Sequence, residues 1–184
     1  VPGAPLEIRC AWGANNNYCF TTTALTSKIW LIYEDDNGEW QGKAVADIGD
    51  ASKVPLPVDI SITSDDQGLW VDTFMDGKAR YFDISDPFNP VQKYEETIGS
   101  QVNMISQSWD GKRAYFSTSL LGNWDKTGDA DEQWVKLYEW DDESLELSHK
   151  WTIDFYKEKL GRAHQMRFGA YSLYSSKSES NKKE

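Results

Sequence analysis

Few residues in this 184-residue chain can bind a soft metal, carry a proton near neutral pH or attack as a nucleophile. There are two histidines, His149 and His164, and two cysteines, Cys10 and Cys19. His149 lies in an alternating apolar run with Leu147 and Trp151, which predicts a packed, hydrogen-bonded imidazole. His164 sits in LGRAHQMRF, after a glycine that turns the chain toward a new strand. On spacing alone it reads as a surface or structural histidine before it reads as a ligand, because nothing beside it completes a metal set. Cys10 and Cys19 flank a turn, and two readings stay open: a cross-strand disulfide or a pair of free core thiols. A disulfide would point to an oxidising compartment. The acidic loop at 125–132, DKTGDADE, lacks EF-hand spacing and reads as a solvated loop rather than a calcium site. There is no Gly-rich phosphate loop, G-x-S-x-G elbow or Cys-x-x-Cys pair.

The elements that must position these groups are strands. Nine Trp, nine Tyr and seven Phe fall in short runs broken by Gly, Asp and Asn, a pattern of all-β chains. The clearest stretch is 103–126, where two alternating runs meet at an Asp110-Gly111 turn and form a hairpin. Sliding it back by 45 residues places Ile105, Ser106, Asp110, Tyr115 and Thr118 on Ile60, Ser61, Asp65, Trp70 and Thr73. A further step of 52 takes Trp70 and Thr73 to Tyr18 and Thr21. A third run (29–33, 79–83, 135–139) and a fourth (40–48, 91–97, 145–155) follow in each unit. In the last of these, Leu145, Leu147, Trp151, Ile153 and Phe155 share one face.

Four strands per unit, repeated three times, predict β-propeller blades at about 5–48, 56–98 and 102–155, followed by a closing segment at 160–171. Closed propellers take about 4 to 8 blades, so three leave two blade faces uncovered and the ring must be completed from elsewhere. The tail at 172–184 turns to Ser, Lys, Glu and Asn and is expected to be disordered. A net charge of −11, from 30 acidic against 19 basic residues, argues against a nucleic-acid partner. No apolar run nears the roughly 20 residues of a membrane span, and no signal peptide is visible. A start at Val1 rather than Met fits removal of an upstream segment.

PLEIR (5–9), RYFDISDPFNP (80–90), SWDGKRAYFSTSL (108–120), NWDK (123–126) and LGRAHQMR (160–167) occur in the order seen in selenium-binding proteins, the family that includes bacterial methanethiol oxidase. The chain resembles the C-terminal part of that family up to about residue 168. The resemblance implies a seven-bladed propeller whose N-terminal portion lies in another chain or a missing part of this one. It implies a copper-dependent periplasmic enzyme that converts methanethiol, oxygen and water to formaldehyde, hydrogen sulfide and hydrogen peroxide. The segment Ala163-His164-Gln165 stands at the position of the family's Ala-His-Glu motif, with Gln165 in place of the acid, and the resemblance makes His164 the implied copper ligand. Gln165 is then placed to orient the imidazole, with Arg167 and Asn103 as lining residues. Departures accompany the matches. Asp76 stands where the family carries a histidine, no histidine lies near Trp12 and Gly13, and GAYSLYS at 169–175 replaces the Cys-Ser-Ser run that often follows. Further ligands must therefore come from the missing blades. Two other functions stay in view: a non-catalytic propeller scaffold within a larger assembly, and a thiol- or selenium-carrying protein with reduced cysteines. A cytoplasmic location, as in the family's eukaryotic members, is the alternative to the periplasm.

Overall fold

A computed structural model describes residues 1–118 and 133–167. The acidic loop at 125–132, the tail at 172–184, residues 119–126 of the hairpin stretch and the closing segment beyond 167 lie outside the described residues.

Among the described residues twelve strands form three antiparallel four-stranded sheets, each built from consecutive strands. The first blade comprises β1 (Pro5–Cys10), β2 (Tyr18–Thr23), β3 (Lys28–Glu34) and β4 (Trp40–Asp47). The second comprises β5 (Pro57–Ile62), β6 (Gly68–Thr73), β7 (Lys78–Asp83) and β8 (Val91–Thr97). The third comprises β9 (Met104–Gln107), β10 (Arg113–Ser117), β11 (Trp134–Asp141) and β12 (Glu146–Asp154). A single 3-10 turn at Ala51–Lys53 is the helical content of the described residues. These are three blades of a propeller. β1, β5 and β9 begin their blades and lie next to one another along what would be the ring axis.

The turns explain why the blades repeat. In the third blade Ser108 N–H donates to Arg113 O (2.9 Å) and Gly111 N–H to Ser108 O (2.9 Å), with Gly111 in the left-handed region at φ +72°. The Ser108 hydroxyl is hydrogen-bonded to Asp110, and in the second blade Thr63 Oγ1 donates to Asp65 in the same way (2.6 Å). A short hydroxyl residue and an aspartate two positions on thus close both turns from within.

Packing occurs between blades. Phe20, Leu31, Ile60, Leu69, Val71 and Phe82 fill the space between the first and second blades. Trp70 centres the space between the second and third, with ring centroids 5.0 Å from Tyr81, 4.8 Å from Trp140 and 5.8 Å from Phe116.

Two readings from the sequence are corrected. In the first blade the phase is shifted: Pro5 pairs with Thr23 and Ile8 with Thr21, as Pro57 pairs with Thr73 and Ile60 with Val71. The equivalents of Trp70 and Thr73 are therefore Phe20 and Thr23, not Tyr18 and Thr21. The cause is a turn at 11–17 that is longer than its counterpart at 63–67. In β12 a bulge sets Tyr138 opposite His149 but Leu137 opposite Trp151, reversing the alternation between them. Trp151 therefore shares a face with Tyr115 (5.7 Å), away from Leu147, and His149 is exposed, against Tyr138 (5.3 Å) and hydrogen-bonded to Thr152 Oγ1 (2.9 Å), rather than packed.

Candidate functional site

The inner strands are tied together by one carboxylate. Asp59, wholly buried on β5, accepts the N–H of Ile105 on β9 (2.9 Å) and its own neighbour Ile60 N–H (2.8 Å). It also pairs with Arg9 of β1 (3.0 Å), whose other terminal nitrogen meets Glu7 (2.5 Å). One side chain of the middle blade thus holds both neighbours at the axis. Asp59 N–H in turn donates to Asp72 Oδ1 (2.8 Å), while Asp72 Oδ2 is buried without a partner. Burial raises the Asp59 carboxyl, offset by the Ile105 N–H and by Arg9. Burial first, and the Asp59 charge second, push Asp72 well above the ordinary carboxylate range, which favours its protonated form.

Beside this knot lies a cleft of about 560 Å³. Its walls come from all three blades and from the chain beyond β12: Ile8 and Cys10, Ser61 and Ser64, Gln107 and Ser108, then Gln165 and Arg167. The turn after β12 delivers that last segment. Phe155 N–H binds Gln133 O (2.7 Å), Leu160 N–H binds Phe155 O (2.9 Å), and Gly161 at φ +88° redirects the backbone inward.

The residues singled out from the sequence fall as follows. His164 is exposed, and its carbonyl accepts the buried Ser117 hydroxyl (2.7 Å), which fixes the backbone at the end of β10. Gln165 and Arg167 line the cleft one and three residues on. Asn103 does not line it. It is fully buried, its N–H donating to Ser117 O (3.0 Å), with neither atom of its amide group hydrogen-bonded. Cys10 and Cys19 are direct register partners joined by a disulfide, with Cα atoms 3.9 Å apart. The cysteines are therefore not free thiols. Asp76 binds the guanidinium of Arg80, a buried cation that also meets Glu95 (3.1 Å). Among the described residues no three His, Cys, Asp or Glu side chains converge as a metal site. His164 fits copper as one neutral nitrogen donor.

Sequence reading missed two aromatic groups that line the cleft. Trp12 and Trp109 meet edge to face there, with centroids 5.0 Å apart. The signal was a tryptophan beside turn residues, where an indole has no turn-forming reason to sit.

The 56 kDa selenium binding protein family matches residues 3–175. The methanethiol oxidase of Ruegeria pomeroyi is 66% identical over 176 residues, covering 96% of this chain and 40% of that protein. The methanethiol oxidase of a Hyphomicrobium species is 57% identical over 170 residues, 92% of this chain and 39% of its own. Among solved structures, a hypothetical selenium-binding protein from Sulfolobus tokodaii superposes with a TM-score of 0.70 at 25% identity, covering 82% of this chain and 41% of that one. A periplasmic gluconolactonase from Pseudomonas aeruginosa, 13% identical with a TM-score of 0.63 over 84% of this chain and 41% of its own, shares the fold. The chain spans about 40% of the length of the methanethiol oxidases it matches. With a family match over nearly its whole length, the chain belongs to the 56 kDa selenium-binding proteins.

Proposed function

We propose that this chain forms three blades of a methanethiol oxidase, completed to a seven-bladed ring by an N-terminal portion or another subunit. The observation that carries the reading is the 66% identity to the Ruegeria pomeroyi enzyme across 96% of the chain. The substrates are methanethiol, oxygen and water, and the products are formaldehyde, hydrogen sulfide and hydrogen peroxide. His164 would hold copper through one imidazole nitrogen, and the other ligands would come from blades outside this chain. Copper, when bound, supplies a soft centre for sulfur and a route for electrons to oxygen. The chain's own residues do the rest. Ser117 anchors the backbone that carries His164. Gln165 and Arg167 line the cleft next to His164, and Gln165 is the polar neighbour that would orient the imidazole. The Cys10–Cys19 bond favours an oxidising compartment, the periplasm, over the cytoplasm. No helix of the described residues is long and apolar enough to cross a membrane.

One observation favours a second reading, a scaffold without turnover. Asp76, at a position where the resemblance implies a histidine, is committed to Arg80. Metal analysis of the assembled ring, beside a His164→Ala variant, separates the two. Copper in the native ring and its loss in the variant is the expected result. Copper in neither preparation sinks the oxidase.

A further inference from the structure

The chain leaves each blade in the same way. At the end of the outer strand, Ile48 N–H donates to Ser27 O (2.8 Å), Ile98 N–H to Gly77 O (2.9 Å) and Phe155 N–H to Gln133 O (2.7 Å) in the first, second and third blades. Each acceptor directly precedes the third strand of its own blade. After the first two exits the next inner strand begins, β5 at Pro57 and β9 at Met104. The same intervals counted from Phe155 reach His164 and Gly161.

The segment that starts there takes an inner strand's place. β5 lies against β1 and β2 of the blade before it, and β9 against β5 and β6. Correspondingly, the Ser117 hydroxyl on β10, the second strand of the third blade, donates to His164 O (2.7 Å). Cys10, Ile62 and Gln107 hold equivalent positions in β1, β5 and β9, opposite Cys19, Leu69 and Ala114, and all three line the cleft. Residues 165–167 join that lining as a fourth contributor. One feature separates the segment from β1, β5 and β9. Each of those strands is paired with the second strand of its blade, whereas residues 161–167 enter no ladder among the described residues. Backbone at an inner-strand position carries a row of N–H and C=O groups that a neighbouring strand satisfies.

We propose that residues 162–167 are the inner strand of a fourth blade, and that the N-terminal portion of the protein joins this chain by adding a strand to that segment, not by packing blade faces alone. The occupant is a strand at the edge of an antiparallel sheet, recognised main chain to main chain. This chain spans 40% of the Ruegeria pomeroyi enzyme, so that relative has the further length to supply such strands. The proposal rests on the ring completion stated above and not on turnover. Its consequence is that pairing across the junction sets the backbone that carries His164, which links assembly to the placement of that imidazole.

The test compares hydrogen exchange in the chain alone and in the complete ring, both without copper. Amides between Ala163 and Arg167 that face the added strand are expected to slow about a hundredfold in the ring, while those of β6, paired on both sides already, change little. A strand paired on one side points alternate N–H groups at its neighbour. Proline at alternate positions from Ala163 to Arg167 should therefore weaken assembly about tenfold, and proline at the positions between should not. Segment amides that exchange as fast in the ring as in the chain alone overturn the strand addition, and so does a proline scan without alternation. A ring that protects these amides yet leaves methanethiol untouched supports the strand addition and removes the oxidase. A ring that oxidises methanethiol with the amides unprotected does the reverse.

Discussion

The middle and first blades carry an isoleucine at the same place in the same register, and the two side chains have opposite surroundings. Ile60 of β5 is completely buried, whereas Ile8 of β1 is 51% exposed. Their own strands repeat the contrast: five of the six residues of β5 are buried, while β1 has no buried residue. Sequence and pairing are alike, so the difference lies in neighbours. The second blade has one on each side and the first has one. On the third blade, Trp151 and Ile153 face outward at 39% and 38% exposure for the same reason. A propeller strand is patterned for a blade beside it, and its apolar outer face marks where that blade belongs.

The largest effect should come from the middle blade. Trp70→Ala removes the ring at the centre of the second interface and is expected to cost about 4 kcal/mol, read as a drop in the denaturant midpoint. Asp59→Ala follows at about 3 kcal/mol, because it strands the buried Ile105 and Ile60 N–H groups and leaves Arg9 with Glu7 as its one carboxylate. Hydrogen exchange should show the Ile105 amide losing protection first.

The isoleucine pair tests the contrast itself. Ile60→Ala is expected to cost about 3 kcal/mol and Ile8→Ala less than about 1 kcal/mol in this chain alone. Once the ring is complete the second cost should rise toward the first. An Ile8 cost that is already large without the other blades breaks the comparison.

Asp72→Asn comes last, and the size of its effect depends on pH. Because the folded state raises the carboxyl's pKa, the folded protein holds more protons, and native stability falls as pH climbs above the ordinary carboxylate range near about 4. The uncharged amide escapes that loss. The variant should gain on the parent as pH rises toward the elevated pKa, in denaturant titrations across the range, and show no gain in acid.

Much of the fold was legible because blade strands are short, alternating and closed by local turns. The Asp110-Gly111 turn and the runs at 29–33 and 79–83 announce themselves within a few residues. What escaped depends on an extra residue with no marker. Lys150 looks like any solvent-facing position, yet the bulge there turns Trp151 to the opposite face from Leu147. The longer turn at 11–17 hid the phase of β2 in the same way. The site was less legible still. Arg9, Asp59 and Ile105 meet through side chains and backbone about 50 residues apart, a contact no local pattern encodes. His164 stood out only through its rarity and family position, whereas its anchoring by Ser117 comes from the turn after β12.

Turnover by the assembled ring tests the central claim most directly. Supplied with methanethiol and oxygen, the copper-loaded ring containing this chain should consume oxygen and release sulfide, peroxide and formaldehyde in equal amounts, and the His164→Ala ring should not. A copper-loaded, folded ring that leaves methanethiol untouched would contradict the account.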